Sequence, residues 1–90
     1  MVTIVLAIDK QNYEIISGPD IITRGFIYAR ESEDLINKIK EISREEVERC
    51  LGNNIVEWQV LKNGVRKSVE QLLYHKTKRR PIVFPIIMEV

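Results

Sequence analysis

The chain has 90 residues, and its 14 lysines and arginines nearly balance 13 aspartates and glutamates, for a formal net charge of +1. A chain of this length excludes a second folded domain, so we predict a single domain at residues 1–90. One cysteine excludes an internal disulfide, and one cysteine with one histidine cannot supply the clustered ligands of a zinc site. We therefore expect a cytoplasmic protein that holds no metal ion or other cofactor of its own.

The most apolar terminal run extends from Val2 to Ile8 and ends at Asp9. It is too short to span a membrane, and it lacks the basic and small-residue flanks of a signal peptide, so we expect no membrane partner. Its β-branched residues alternate, which places Val2, Ile4, Leu6 and Ile8 on one face of a well-buried strand.

A polar break at residues 9–12 separates this strand from a second strand pattern and predicts a β-hairpin. The second pattern begins at residues 13–16 and is interrupted by Ser17 to Asp20, a stretch with two strong breakers. Strand-like residues resume at 21–23 and at 26–28, around Gly25. We predict a kinked or bulged strand there.

From Glu31 the apolar period changes to that of an amphipathic helix. Ser32 is the predicted N-cap, and the carboxylates of Glu33 and Asp34 suit the first turn. Gly52 is predicted to provide a left-handed cap at the other end. The apolar residues of this helix fall on one broad face: Leu35, Ile36, Ile39, Ile42, Val47, Cys50 and Leu51.

A second amphipathic helix is predicted to follow, running towards Lys76. Asn54 and Glu57 have the spacing of a capping box at its start. Gly64 interrupts the pattern, and it indicates either a close approach to another element or a division of the helix. Apolar residues recur at steps of three and four: Trp58, Leu61, Val65, Val69 and Leu72.

Pro81 ends this pattern, and Ile82 to Met88 are predicted to begin a final strand. Pro85 restricts this strand to an edge or a bulge. The predicted order is β-β-α-α-β, and two amphipathic helices need a sheet face against which to bury their apolar sides. We predict an α+β two-layer sandwich, with a small mixed sheet of about three strands and both helices on one face.

No catalytic arrangement is evident in the sequence. His75 has no nucleophile or orienting carboxylate near it in the chain, so a solvated residue at a helix end is the favoured interpretation. Cys50 lies on the apolar side of its helix and is expected to be a small buried hydrophobe.

The charge is unevenly distributed, because residues 31–51 carry −3 and residues 62–80 carry +6. Such a basic segment could contact the phosphates of RNA without reading sequence. Cations near a helix C-terminus are also favoured by the helix dipole, so both interpretations stay open. The candidate contacts to RNA or another partner are Arg24, Lys62, Arg66, Lys67, Lys76, Lys78, Arg79 and Arg80.

Several motifs together resemble one known family. They are Gly18-Pro19-Asp20, Arg24-Gly25-Phe26, Arg30-Glu31-Ser32, Tyr74, the run from Lys76 to Pro81, and the run from Pro85 to Val90. The combination resembles the C-terminal domain of bacterial ribonuclease J, a ribonuclease of the metallo-β-lactamase and β-CASP type. The resemblance spans nearly the whole chain, and Thr23 stands where the family is expected to have serine.

The resemblance implies a parent enzyme that hydrolyses RNA endonucleolytically and from the 5′ end, with two divalent metal ions, zinc in the family, in its catalytic core. The family's metal-binding motif belongs to that core and matches no position here. No catalytic or metal residue is therefore assigned, and Met1 is expected to be a start codon supplied to an excised fragment.

The implied role is that of a non-catalytic accessory domain, which supports dimerisation and activity by contacting its own catalytic core and a homodimer partner. The last strand has apolar residues on both faces, so one helical layer would leave one face needing cover. The alternative is an RNA-binding module that guides RNA through residues 62–80. The candidate subunit or core interface is Ile82, Phe84, Ile86 and Met88.

Overall fold

The computed structural model describes the backbone of residues 1–24 and 29–90 and the side chains of residues 1–24 and 33–90. The order of its elements confirms the predicted β-β-α-α-β fold. The elements are β1 (Val2–Asp9), β2 (Glu14–Thr23), α1 (Ala29–Gly52), α2 (Trp58–Thr77) and β3 (Val83–Glu89).

The three strands form one mixed sheet in the order β2-β1-β3. The central strand β1 is antiparallel to β2 and parallel to β3. Helix α1 packs near β2 and helix α2 near β3. The core lies between the helices and the sheet face that carries Ile4 and Leu6, where Ile39 of α1 and Leu61 and Val65 of α2 are fully buried. This confirms the predicted arrangement of both helices on one face.

The turn between β1 and β2 is organised by Asp9. Its carboxylate accepts the Gln11 backbone N–H at 2.8 Å and the Asn12 side-chain amide at 3.1 Å, and its carbonyl accepts the Tyr13 N–H at 2.7 Å. The hydrogen bond from the Gln11 backbone is the main reason why the pKa of Asp9 is lowered. The predicted hairpin is therefore confirmed.

Strand β2 runs without a break through Ser17 to Asp20, so the predicted interruption there is wrong. The pairing between β1 and β2 accommodates these residues by shifting its register on both sides of Ala7 of β1. Gly18 has a φ of 84°, and a Cβ atom on it would lie 2.5 Å from the Val5 carbonyl oxygen. The strand therefore bulges opposite Ala7, whereas the kink or bulge predicted around Gly25 and the strand expected at residues 26–28 lie outside the described residues.

The caps of both helices differ from the predictions. Helix α1 begins upstream of Ser32, which is therefore not its N-cap, and Asn54 rather than Gly52 takes the left-handed conformation after it, with a φ of 60°. Helix α2 begins after Glu57, which makes no side-chain capping bond, so the capping box is wrong. Since Asn54 already closes the first helix, it is not free to start the second.

Gly64 lies inside the continuous helix α2, which excludes a division of the helix. A Cβ atom at this position would lie 2.6 Å from Oε1 of Glu46 on α1. Of the two interpretations left open by the sequence, the close approach is therefore the correct one. The inner face of α2 is completed by Leu73, which is fully buried, whereas Leu72 is half-buried.

Strand β3 is an edge strand, as Pro85 predicts. The Val2 N–H donates to the Ile82 carbonyl at 2.8 Å, and the Val90 N–H donates to the Ile8 carbonyl at 3.0 Å. Even-numbered residues of β3 therefore direct their backbone groups at β1. Pro85 is odd-numbered and faces outward, where its missing N–H leaves no bond of the sheet unmade.

Candidate functional site

The described residues leave the sheet face opposite the helices uncovered, and this face is largely apolar. Directly opposed residues share a face of a sheet, so each residue of β1 on this side defines one row across the three strands. The rows are Ile22, Thr3 and Phe84, then Asp20, Val5 and Ile86, then Ser17, Ala7 and Met88.

The apolar side chains of this open sheet face are exposed to solvent. Phe84 is 51% exposed, Ile86 44% and Met88 47%, and Ile82 continues the same face at 64%. Their neighbour Val83 has the opposite parity and is buried. All four residues predicted as an interface therefore lie on one surface.

Strand β2 adds two residues to the open sheet face that the sequence analysis missed. Ile22 is 54% exposed and Ile16 is 52% exposed, whereas Ile15 and Ile21 pack against the core. The alternation of these four residues is the signal that could have identified them. It was obscured by the interruption predicted between the two halves of the strand.

Both edges of the sheet carry a proline, Pro19 in β2 and Pro85 in β3. Proline on an edge strand removes a backbone donor and discourages another strand from adding there. Large apolar side chains are at the same time left exposed on the open sheet face. A partner is therefore better accommodated on the face than at an edge.

A basic groove lies between α2 and the start of β3. Lys62, Arg66 and Arg80 line it, together with polar residues of α2 and the run from Pro81 to Pro85. The Asn63 side-chain oxygen accepts a hydrogen bond from the Arg66 guanidinium at 3.3 Å and thereby positions it. Three of the predicted contact residues are brought together here.

A second groove adjoins the first along α2 and shares Arg80 with it. It is lined by Lys67, Glu70, Gln71, Tyr74, His75 and Arg80. Tyr74 was not among the contact residues predicted from the sequence. Tyr74 is 40% exposed, and the Arg80 guanidinium carbon lies 4.5 Å and the Lys78 Nζ 5.4 Å from the centroid of its ring.

The turn after α2 explains why these cations meet Tyr74. Lys78 adopts the left-handed conformation, with a φ of 59°, and its N–H donates to the Tyr74 carbonyl at 2.9 Å. The Thr77 hydroxyl donates to the Leu73 carbonyl at 2.7 Å and accepts the Arg79 N–H at 3.1 Å. The chain therefore folds back, so that residues after the helix reach its last turn.

The remaining predicted cations do not line either groove. Lys76 and Arg79 are exposed around the same turn. Arg24 lies at the end of β2, where its carbonyl accepts a hydrogen bond from the Met1 ammonium at 2.9 Å. It is at the same end of the sheet as Ile82, on the other side of β1.

The two residues considered for catalysis have ordinary surroundings. Cys50 is buried, as predicted, and burial raises the pKa of its thiol. His75 makes an edge contact with Tyr74, with ring centroids 6.4 Å apart. Within residues 1–24 and 33–90, no three His, Cys, Asp or Glu side chains are grouped to hold a metal ion.

None of the described helices is long and apolar enough to cross a membrane.

The fold and its surfaces define a small α+β domain with an open sheet face and basic grooves beside one edge. The chain belongs to the ribonuclease J C-terminal domain family, which it matches over residues 1–90. It is 49% identical over 87 residues to Ribonuclease J2 of Bacillus subtilis strain 168, covering 97% of this chain and 16% of that protein. It is 43% identical over 86 residues to Ribonuclease J 2 of Staphylococcus aureus strain NCTC 8325, covering 96% of this chain and 15% of that protein.

These matches confirm the resemblance stated above. The chain spans less than a fifth of the length of the curated relatives that it matches.

Proposed function

We propose that this chain is the non-catalytic accessory domain of a ribonuclease J-type enzyme and that it supports dimerisation through its open sheet face. RNA hydrolysis, with its divalent metal ions, belongs in this proposal to the catalytic core outside the chain. The observation that carries the proposal is the set of exposed apolar side chains on the open sheet face, Phe84, Ile86 and Met88 above all.

A second copy of the domain is the occupant that this surface fits best. A symmetric dimer buries the same patch on both subunits, which an apolar face satisfies without needing complementary charges. Two sheets also pack face to face at about 10 Å, with their side chains interdigitating. Addition of a partner's strand at an edge is disfavoured by Pro19 and Pro85.

The size of the face predicts a weak dimer. Three strands about 4.8 Å apart and about seven residues long present roughly 300 Å² in projection. Stable protein interfaces bury about 800 Å² per partner. The isolated domain is therefore expected to associate weakly and to assist an interface that other parts of the enzyme complete.

Sedimentation equilibrium of the 90-residue chain tests this proposal. We expect reversible dimerisation that becomes evident only at high protein concentration, because the interface is smaller than that of a stable complex. Ile86→Lys should abolish it. Val60→Lys is the matched control, because Val60 on α2 is 42% exposed and Ile86 is 44% exposed. A wild-type chain that stays monomeric at the highest concentration would contradict self-association.

RNA binding is the second candidate function, and the two basic grooves favour it. They bring Lys62, Arg66, Lys67 and Arg80 together on the side of α2 that faces β3 and the following turn. RNA affinity that falls steeply with salt and is lost on neutralising residues 78–80 would support it. Dimerisation lost in Ile86→Lys while RNA binding is unchanged would show that the two functions use separate surfaces.

A further inference from the structure

We propose that the two basic grooves form one track for a short stretch of single-stranded RNA, in which one base stacks on Tyr74 and the phosphates contact the groove cations. This inference rests on the second candidate function and goes beyond it, because it selects single strands over duplexes and assigns a separate role to an uncharged residue.

The grooves form one track because they share lining residues. Arg80 and Glu70 line both, so the groove beside β3 continues into the groove around Tyr74. From Gln59 to His75 the helix rises about 24 Å at 1.5 Å per residue. A single-stranded binding site can be as short as about four nucleotides, which a track of this length accommodates.

The cations of the track are suited to phosphates. Lys62, Arg66, Lys67 and Arg80 line it against the carboxylate of Glu70. Arg66 is held by Asn63, which in turn accepts a hydrogen bond from Gln59 at 3.4 Å. A guanidinium fixed in this way is pre-organised for a phosphate, so less conformational freedom is lost on binding.

Tyr74 provides the stacking surface that phosphate contacts alone lack. Its exposed ring is covered in part by Arg80, whose guanidinium lies 4.5 Å from the ring centroid. An exposed cation–π contact contributes less than the stacking of a base on an aromatic ring. A base can therefore take the place of Arg80 at the ring, and Arg80 can turn to the adjoining phosphate. In a duplex the faces of each base are stacked against neighbouring bases, so Tyr74 adds no stacking energy to duplex binding.

The test measures binding of a fluorescein-labelled decauridylate and of an RNA duplex of the same length to the 90-residue chain by anisotropy, across a salt series. Four phosphate contacts predict a log–log salt slope of about −2.8 for a single strand, or about a 50-fold loss of affinity for a fourfold rise in salt. Arg66→Gln should reduce the magnitude of the slope by about 0.7. Arg44→Gln, an exposed cation of α1, is the control and should leave it unchanged.

The stacking role has its own set of variants. Tyr74→Leu should weaken single-strand binding about 5- to 100-fold with an unchanged salt slope, whereas Tyr74→Phe should keep the affinity within about twofold. Tyr13→Leu is the matched control, because Tyr13 is 46% exposed in the β1–β2 turn. Glu70→Gln should tighten binding about two- to fivefold, since it removes a charge that repels phosphate. Circular dichroism of each variant checks that the fold is retained.

The outcomes separate this inference from the function on which it rests. If Tyr74→Leu binds as well as wild type, or if the duplex binds tighter than the single strand, the stacking track is wrong even though RNA binding stands. If no binding is detected at low salt, both are wrong. The dimer proposal is untouched by either result, because it is measured without RNA.

Discussion

The close approach of the two helices at Gly64 leads to a prediction with a defined magnitude. The perturbation is Gly64→Ala, which places a methyl group 2.6 Å from Oε1 of Glu46 and 3.2 Å from its Cγ and Cδ atoms. Glu46 has to move, and it then gives up the 2.6 Å contact between its Oε1 and Nη2 of Arg49.

Two terms of similar size oppose one another. Replacing a glycine inside a helix by alanine stabilises the fold by about 1 kcal/mol. Displacing Glu46 and losing its ion pair with Arg49 offsets much of this gain, although the worth of the pair itself is limited because the Arg49 side chain is exposed and solvent screens it. We therefore expect Gly64→Ala to change the free energy of unfolding by less than about 0.5 kcal/mol. In a Glu46→Ala background the obstacle is absent, and the full gain of about 1 kcal/mol should appear.

Urea denaturation of the four proteins of this double-mutant cycle provides the measurement. The coupling energy should be about 0.5 to 1 kcal/mol. Equal stabilisation by Gly64→Ala in both backgrounds would refute the close approach, because Glu46 would then be no obstacle. Destabilisation by more than about 2 kcal/mol in both backgrounds would also refute the reasoning, since the methyl group would be meeting something less yielding than a side chain.

Four further predictions concern the turns and the core. Gly18→Ala should destabilise by more than about 2 kcal/mol, because it combines a positive φ with a clash against the Val5 carbonyl, and an unchanged urea midpoint would contradict this. Lys78→Gly should stabilise by up to about 1 kcal/mol, since glycine adopts the left-handed conformation without strain, and a lowered melting temperature would count against it. The Cys50 thiol should react with a disulfide reagent at pH 8 much more slowly in the folded protein than in urea, because burial raises its pKa, and equal rates would exclude that burial. Asp9→Asn should be less stable than wild type at pH 7. Because the Gln11 backbone hydrogen bond lowers the Asp9 pKa in the folded state, this deficit should begin to shrink below about pH 4, the pKa of an unperturbed aspartate, and should disappear only once the pH falls below the lowered pKa; a deficit constant between pH 7 and pH 2 would show that the carboxylate charge is not its cause.

Strand β1 and both helices could be predicted because each has a strong hydrophobic period. Residues of β1 alternate, and the core residues of α1 and α2 recur at helical steps, so burial alone selects strand or helix. The caps could not be predicted in the same way. Gly52 and Asn54 both suit a left-handed turn. Asn54 adopts it because the next residue, Ile55, donates its backbone N–H to the Cys50 carbonyl at 2.8 Å. That bond depends on how the chain enters α2.

The residues of the candidate surfaces also fall into two groups, those that local sequence identifies and those that depend on pairing between distant parts of the chain. The exposed side of β3 follows from alternation within one segment, so Phe84, Ile86 and Met88 were identified from sequence. Whether Ile22 lies on the open sheet face depends on the register of β2 against β1. The bulges shift that register, and it pairs residues far apart in the chain. The pairing of Tyr74 with Arg80 depends on one left-handed residue between them, and lysine gives no local signal of that conformation.

The near-neutral net charge conceals a separation of negative and positive charge between the two sides of the folded domain. The segment with −3 forms most of α1, which packs near β2, whereas the segment with +6 covers α2 and the following turn, which lie near β3. Because the sheet order is β2-β1-β3, the two charged regions lie towards opposite edges of the sheet. An approaching polyanion is therefore attracted to the β3 side and repelled from the β2 side. A domain of uniform positive charge would attract RNA from every direction, including across the apolar face, whereas this distribution favours approach from the β3 side, as the proposed RNA track requires.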